Sequence, residues 1–222
     1  MRLILFFFLI STIANAQAIK LGNFDELKVY DGIRVTIIPS KSDSLVVQGE
    51  NKEYLTHKNK NGCLVLRMQL KKKLSGFNTT VALFSSKPLD IIDTNQGSFV
   101  SCEYPISQQS ITLKSQEGSE INATLDVQKV TTKAVSGGII SIKGAALIQS
   151  HKINTGGILE AQSLDSDQVE VAVKMGGSAD VKATELAEAE VAFGGSIYIY
   201  GKPKKIIKRV SFGGSISEKT QK

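Results

Sequence analysis

The stretch AVSGGIISIKGAALIQSHKINTGGILE, residues 134–160, decides the fold. Two glycine doublets, Gly137-Gly138 and Gly156-Gly157, bracket an apolar-rich segment and stand 19 residues apart. The signal recurs on both sides as Gly97-Ser98, Gly118-Ser119, Gly176-Gly177, Gly194-Gly195 and Gly213-Gly214. Successive first glycines are 21, 19, 19, 20, 18 and 19 residues apart. A fixed period of this length marks stacked units, each leaving a face for the next to cover. The segments between doublets are β-rich, so each unit reads as one coil of a parallel β-helix. The general rule for parallel crossovers makes that helix right-handed.

Columns taken across the coils give the inside and the outside. Five positions before the first glycine of the paired-glycine units stand Thr132, His151, Val171, Ala189 and Lys208. Three before stand Ala134, Ile153, Val173, Val191 and Val210, and one before stand Ser136, Thr155, Met175, Phe193 and Phe212. Steps of two share one face of a strand. All three columns are therefore predicted to face inward, with Met175, Phe193 and Phe212 as an internal packing stack. A second strand follows each corner, at Phe99 to Cys102, Ile139 to Ile142, Ile158 to Ala161 and Ile197 to Tyr200. The glycines serve the corner itself, where positive φ carries no steric cost and a missing Cβ lets coils approach. Residues 184–192, TELAEAEVA, are strong helix formers. The period leaves no room for a helix, so a strand is expected over Glu190 to Phe193.

The N-terminal half lacks the doublet but is β-rich from Phe24 to Asp93, with turn signals at Asp31-Gly32 and Asn61-Gly62. The domain reading is a leader over 1–16, then one β-helix domain over 17–222. Within it, 17–93 is an irregular β-rich part or cap, and 94–222 holds the regular coils. A cap is physically required, because an open first coil is an unpaired edge. At the other end, Gly201-Lys202-Pro203-Lys204-Lys205 and the charged tail discourage edge growth. The leader has Arg2, an apolar run from Leu3 to Ile10, and the small-x-small site Ala14-Asn15-Ala16. That is the pattern of a secretory signal peptide, too short to span a bilayer. No later run is long enough to span either. Export to the periplasm, the outer surface or the medium is expected.

Several chemistries are absent from the sequence. Two cysteines, Cys63 and Cys102, and two histidines, His57 and His151, form no metal-ligand spacing. The cysteines are expected to remain free thiols. No doublet precedes a helix start or a lysine-serine pair, so none reads as a phosphate loop. No cofactor and no nucleic-acid partner is expected. The formal charge of +6 is a modest basic excess.

The order of motifs resembles a known family. A leader is followed by Phe24-Asp25-Glu26-Leu27-Lys28-Val29, then Val35-Thr36-Ile37, Asn61-Gly62-Cys63-Leu64-Val65-Leu66, Lys87-Pro88-Leu89 and the glycine coils. This is similar to the head GIN domain family of secreted bacterial proteins, often labelled auto-transporter adhesins. The resemblance implies a right-handed parallel β-helix and Gram-negative export, and it transfers no catalytic residue.

Two functions compete. The first is a non-catalytic envelope module, adhesin-like or structural, that offers its faces to a glycan or another envelope protein. Tyr198 and Tyr200 alternate with Ile197 and Ile199, so the tyrosines should face outward beside Lys202, Lys204 and Lys205. The second is a β-helix lyase or hydrolase acting on polysaccharide, for which Asp165, Asp167 and Asp180 are the candidate acids.

Overall fold

A computed structural model describes residues 18–102 and 104–220. The leader read at 1–16 lies outside these residues. Among them the chain forms one continuous sheet of 19 strands wound into a β-solenoid of about seven turns. Three single-turn 3-10 segments are the only helical pieces among the described residues.

Each coil has two legs. The approach leg leads into the glycine corner and the exit leg leaves it. Approach legs stack in register on one side, as in Gln168–Lys174, Leu186–Ala192 and Lys205–Ser211. Exit legs stack on the other, as in Ser178–Lys182, Ser196–Tyr200 and Ser215–Glu218. In Glu120–Val135 and Ile139–Asn154 one strand runs from an exit leg into the next approach leg. The second bend shows as two adjacent exposed residues, Gln128-Lys129 and Leu147-Ile148, where strict alternation slips by one. Inward residues of both legs meet in a single core running from Phe24 to Ile199.

The corner explains the doublet. In the coil ending at Val135, Ser136 and Gly137 have φ of 51° and 74°, and Gly138 N–H donates to Val135 O at 3.0 Å. Two positive φ values closed by that bond make a type I′ turn. The two glycines have different tasks. A Cβ on Gly137 would meet open space, whereas one on Gly138 would lie 2.1 Å from Ser115 O in the coil above. The first supplies backbone sign and the second supplies room. In the last three corners the second glycine is also left-handed, at 104°, 106° and 113° for Gly177, Gly195 and Gly214. Earlier corners keep negative φ there, so Ser98 and Ser119 can stand in. Ser119 is buried, its Oγ accepting from Gln116 N–H and donating to Thr94 O at 2.7 Å.

The residues 184–192 are extended, as the period requires: the strand is Leu186–Ala192. It stops one residue short of Phe193, and that residue corrects the predicted inner stack. Met175, Phe193 and Phe212 are 58%, 61% and 82% exposed. Each is the first left-handed residue of its corner, with φ of 53°, 59° and 56°. The turn rotates the side chain away from the face its strand parity assigns. Phe193 and Phe212 do stack, with centroids 4.9 Å apart and rings 4° from parallel, but on the outer ridge. The columns three and five positions upstream are buried as read through Ile153, Val173, Val191, His151 and Val171, but their last members, Val210 and Lys208, are exposed because no coil covers them.

The N-terminal half both caps the solenoid and continues it, out of sequence order. The coil of Glu26–Val29 and Arg34–Pro39 lies between the coil of Cys63–Met68 and Thr79–Ser85 and that of Ile91–Thr94 and Phe99–Cys102. Beyond the outermost coil, Ser44–Gly49 and Leu55–Lys60 pair antiparallel to it. These strands occupy the edge that a further coil would need. At the far end Lys208 and Glu218 take register positions filled by buried Ala189 and Ile199 one coil up. Their side chains join at 2.7 Å. A charged pair thus stands where the apolar core would otherwise be presented, an inward-charge device that blocks edge pairing.

Two measurements test these assignments. Ile153→Ala should cost about 2–5 kcal/mol in urea unfolding, and Phe193→Ala less than about 1.5 kcal/mol because only a surface ring contact is lost. A larger loss at Phe193 than at Ile153 would overturn the inside/outside assignment. Replacing both Lys208 and Glu218 by leucine should produce concentration-dependent association in sedimentation. A variant that stays as monodisperse as the parent would remove the end-blocking role.

Candidate functional site

The solenoid offers two long outer faces and one buried polar cluster. On the exit sheet, Thr36, Ser101, Asn122, Ser141, Glu160, Asp180 and Tyr198 share one register column across successive coils. Ser141 Oγ donates to Glu160 Oε2 at 2.7 Å, and Thr36 and Ser101 hydroxyls lie 3.5 Å apart. The coil with 20-residue spacing puts its extra residue here: the register slips between Glu160 and Ser163, leaving a bulge. Beside it an open groove of about 370 Å³ is lined by Asn122, Thr124, Ser141, Lys143, Glu160 and Ser163. Burial, and then the neighbouring Glu160, push the Asp180 carboxyl above its usual range.

Ile197 and Ile199 are buried, and Tyr198 and Tyr200 face outward, half-buried. Lys219 Nζ sits 5.1 Å from the Tyr198 ring centroid. The three lysines do not form a free cluster. Lys202 occupies the left-handed bend after Tyr200, and Lys204 pairs with Glu185 at 2.8 Å. Lys205 follows at the start of the last approach leg. The acids singled out for catalysis are separated. Asp165 pairs with Lys182 at 2.6 Å and Asp167 accepts from Thr184 Oγ1 at 3.4 Å, both near the second bend. Asp180 is on the exit sheet beside Glu160. No group of three or more His, Cys, Asp or Glu able to hold a metal occurs among the described residues.

The approach sheet carries a feature that the corner-by-corner reading missed. Lys114, Lys133 and Lys152 are register partners on three consecutive strands. Spacings of 19 between these lysines carry the signal in the sequence, in the same period as the corners.

The cysteines are free. Cys63 is on an approach leg and Cys102 on an exit leg two coils away, so they do not meet. Burial raises the Cys102 thiol to about 12, and it lines an apolar cavity of about 270 Å³ with Ile37, Leu89, Ile92 and Ile106. That cavity lies where the chain steps across a coil between Ser85 and Ile91.

The family-model comparison matches residues 23–203 to the family described as "Putative auto-transporter adhesin, head GIN domain". The chain belongs to the head GIN domain family. Solved structures agree on the fold of this head GIN domain. A "putative adhesin" from Bacteroides fragilis is 21% identical, with a TM-score of 0.83 over 91% of this chain and 95% of that one. A "putative adhesin" from Parabacteroides merdae is 15% identical, with a TM-score of 0.71 over 91% and 95%. A "putative lipid binding protein" from Parabacteroides distasonis is 18% identical, with a TM-score of 0.67 over 93% and 96%. No functionally curated protein matches the chain. Among the described residues no helix is long and apolar enough to cross a membrane.

Inside the core His151 is buried in a polar chain. Gln149 directs its amide nitrogen to Ser166 Oγ at 2.8 Å and Lys182 O at 2.9 Å. Its Oε1 therefore accepts from His151 Nε2–H at 2.7 Å, which leaves Nδ1 to accept the Thr132 hydroxyl at 2.8 Å. Burial lowers the imidazole to about 3. The unfolded chain binds a proton below about pH 6.5 that the folded one refuses. Stability from this group is complete above that pH and falls as pH drops toward 3, by roughly tenfold in the folding constant per pH unit. Between about pH 6.5 and 5, His151→Gln should flatten the pH dependence of urea unfolding. Equal slopes in the parent and the His151→Gln variant would exclude the buried neutral histidine.

Proposed function

We propose that the protein is a secreted, non-catalytic module of the Gram-negative cell envelope that binds an extended glycan or a protein partner along its exit sheet. The observation that carries this reading is the unbroken outward column from Thr36 to Tyr198 with its open lateral groove. A coil of this size is filled by its own side chains, so contact falls on the outside. Hydroxyl, amide and carboxylate groups recurring at the strand spacing of about 4.8 Å suit a chain laid along the solenoid axis. Tyr198 in this column and Tyr200 in the neighbouring one present two rings able to stack on sugar faces, with Lys202, Lys204 and Lys205 following them in the chain. Membership in an adhesin-labelled family, and neighbours described as adhesins, support a binding role.

One observation favours the enzymatic alternative: Glu160 and Asp180 stand side by side, and the Asp180 carboxyl is raised, as general acids of polysaccharide hydrolases or lyases require. The binding reading is preferred because the groove beside that pair is open along the lateral face and the family is described as adhesins.

The test is binding of residues 17–222 to purified envelope glycans and to detergent-extracted envelope proteins. Tyr198→Ala with Tyr200→Ala should weaken binding about tenfold or more, and Lys202, Lys204 and Lys205 changed together to Gln should weaken it less, since Lys204 is already paired. Unchanged binding by the tyrosine variant would move contact off the exit sheet. Release of shorter saccharides, abolished by Asp180→Asn, would replace the module by an enzyme.

A further inference from the structure

We propose that the approach sheet holds a second site, a binding track for an acidic polysaccharide built on Lys114, Lys133 and Lys152. Adjacent parallel strands stand about 4.8 Å apart. Three ammonium groups in one register column on successive strands repel one another, and like charges placed opposite are a cost to the sheet. No ion pair to any of the three occurs among the described residues. Within this column the lysines are bounded above by buried Asp93, which accepts from Asn95 Nδ2 at 2.9 Å, and below by Ala172. Asp93 offsets part of the charge at Lys114, so the cationic surface centres on the exposed Lys133 and Lys152.

The surroundings point to a sugar chain. A shallow pocket of about 240 Å³ lies among Lys133, Lys152 and Lys174, with Val135 and Ala172 contributing apolar surface. An apolar patch ringed by cations fits the C–H face of a pyranose whose carboxylates or sulfates meet the lysines. The next outward column is Thr112, Thr131 and Ser150, a row of hydroxyls able to bond sugar hydroxyls. Lys174 approaches Glu190 only to 3.9 Å and remains largely exposed. Charges repeating once per strand match a polymer carrying one acid per extended hexose unit, so a polyuronate is the chemical class. The track is on the opposite sheet from Tyr198, so it is independent of the exit-sheet reading.

The experiment measures binding of polygalacturonate to residues 17–222 by calorimetry, with neutral dextran and single-stranded DNA as controls. The expected result is salt-sensitive binding of polygalacturonate and none of dextran. Changing Lys114, Lys133 and Lys152 together to Gln should weaken it at least tenfold with no loss of thermal stability, and the same three changed to Arg should retain it. Ala172→Glu, which adds a carboxylate to the pocket, should also weaken it. The Tyr198/Tyr200 variant should bind polygalacturonate as the parent does. Failure of the parent to bind, full binding by the Gln variant, or tighter binding of DNA than of polygalacturonate would each overturn the track.

Discussion

The structure depends on the stacking of left-handed corners. At each corner the chain reverses over a few residues, and its turn amides would be left without partners. They are met by the next corner: Gly97 N–H donates to Glu117 O at 3.0 Å, Gly118 N–H to Ser136 O at 3.1 Å, and Gly137 N–H to Thr155 O at 3.2 Å. The bonding continues through Thr155, Met175 and Phe193 to the last coil. Each corner that pairs with the next gains these bonds, so the stack of turns reinforces the register of the legs. This couples a local property, the sign of φ, to the global one, parallel register. A side chain on Gly138 or Gly157 would push the coils apart at that contact, because each faces a carbonyl oxygen 2.1 or 2.3 Å from its virtual Cβ.

Once corners fix the register, every outward residue becomes part of a column. Function in such a fold is written as ladders instead of clefts. The two sheets carry different texts: hydroxyls, amides, acids and a tyrosine on the exit side, lysines beside hydroxyls on the approach side. The inserted residue near Gln162 is the place where regularity breaks, and the groove opens there.

Much of this was readable in the sequence, for a definite reason. Glycine is the one residue that serves both left-handed φ and zero side-chain volume, so it prints the period directly. Inward columns such as Ile153, Val173 and Val191 follow from strand parity. Parity failed at Phe193, because a left-handed residue does not obey it. Gln96, Glu117, Ser136 and Thr155 in that same column were the warning, since four polar residues do not belong to an apolar core. The placement of Glu26–Val29 between later coils was not legible, because nothing local in a short parallel strand names its neighbours. The lysine column was legible as a spacing of 19, but an outward lysine on a strand looks locally like any solvated position.

The out-of-order coil gives the molecule unequal ends. The strands Glu26–Val29 and Arg34–Pro39 are clamped on both sides by segments that follow them in the chain. As the polypeptide emerges from its N-terminus, that coil gains one neighbour from residues 63–85 and the other only from residues 91–102, and the regular coils are then laid down one upon the next. Disassembly runs the other way. The last coil is held from above only, so a pull on the C-terminus peels turns singly, whereas the N-terminal block must yield as a unit. The solenoid thus has a tip held from one side and an interlocked base.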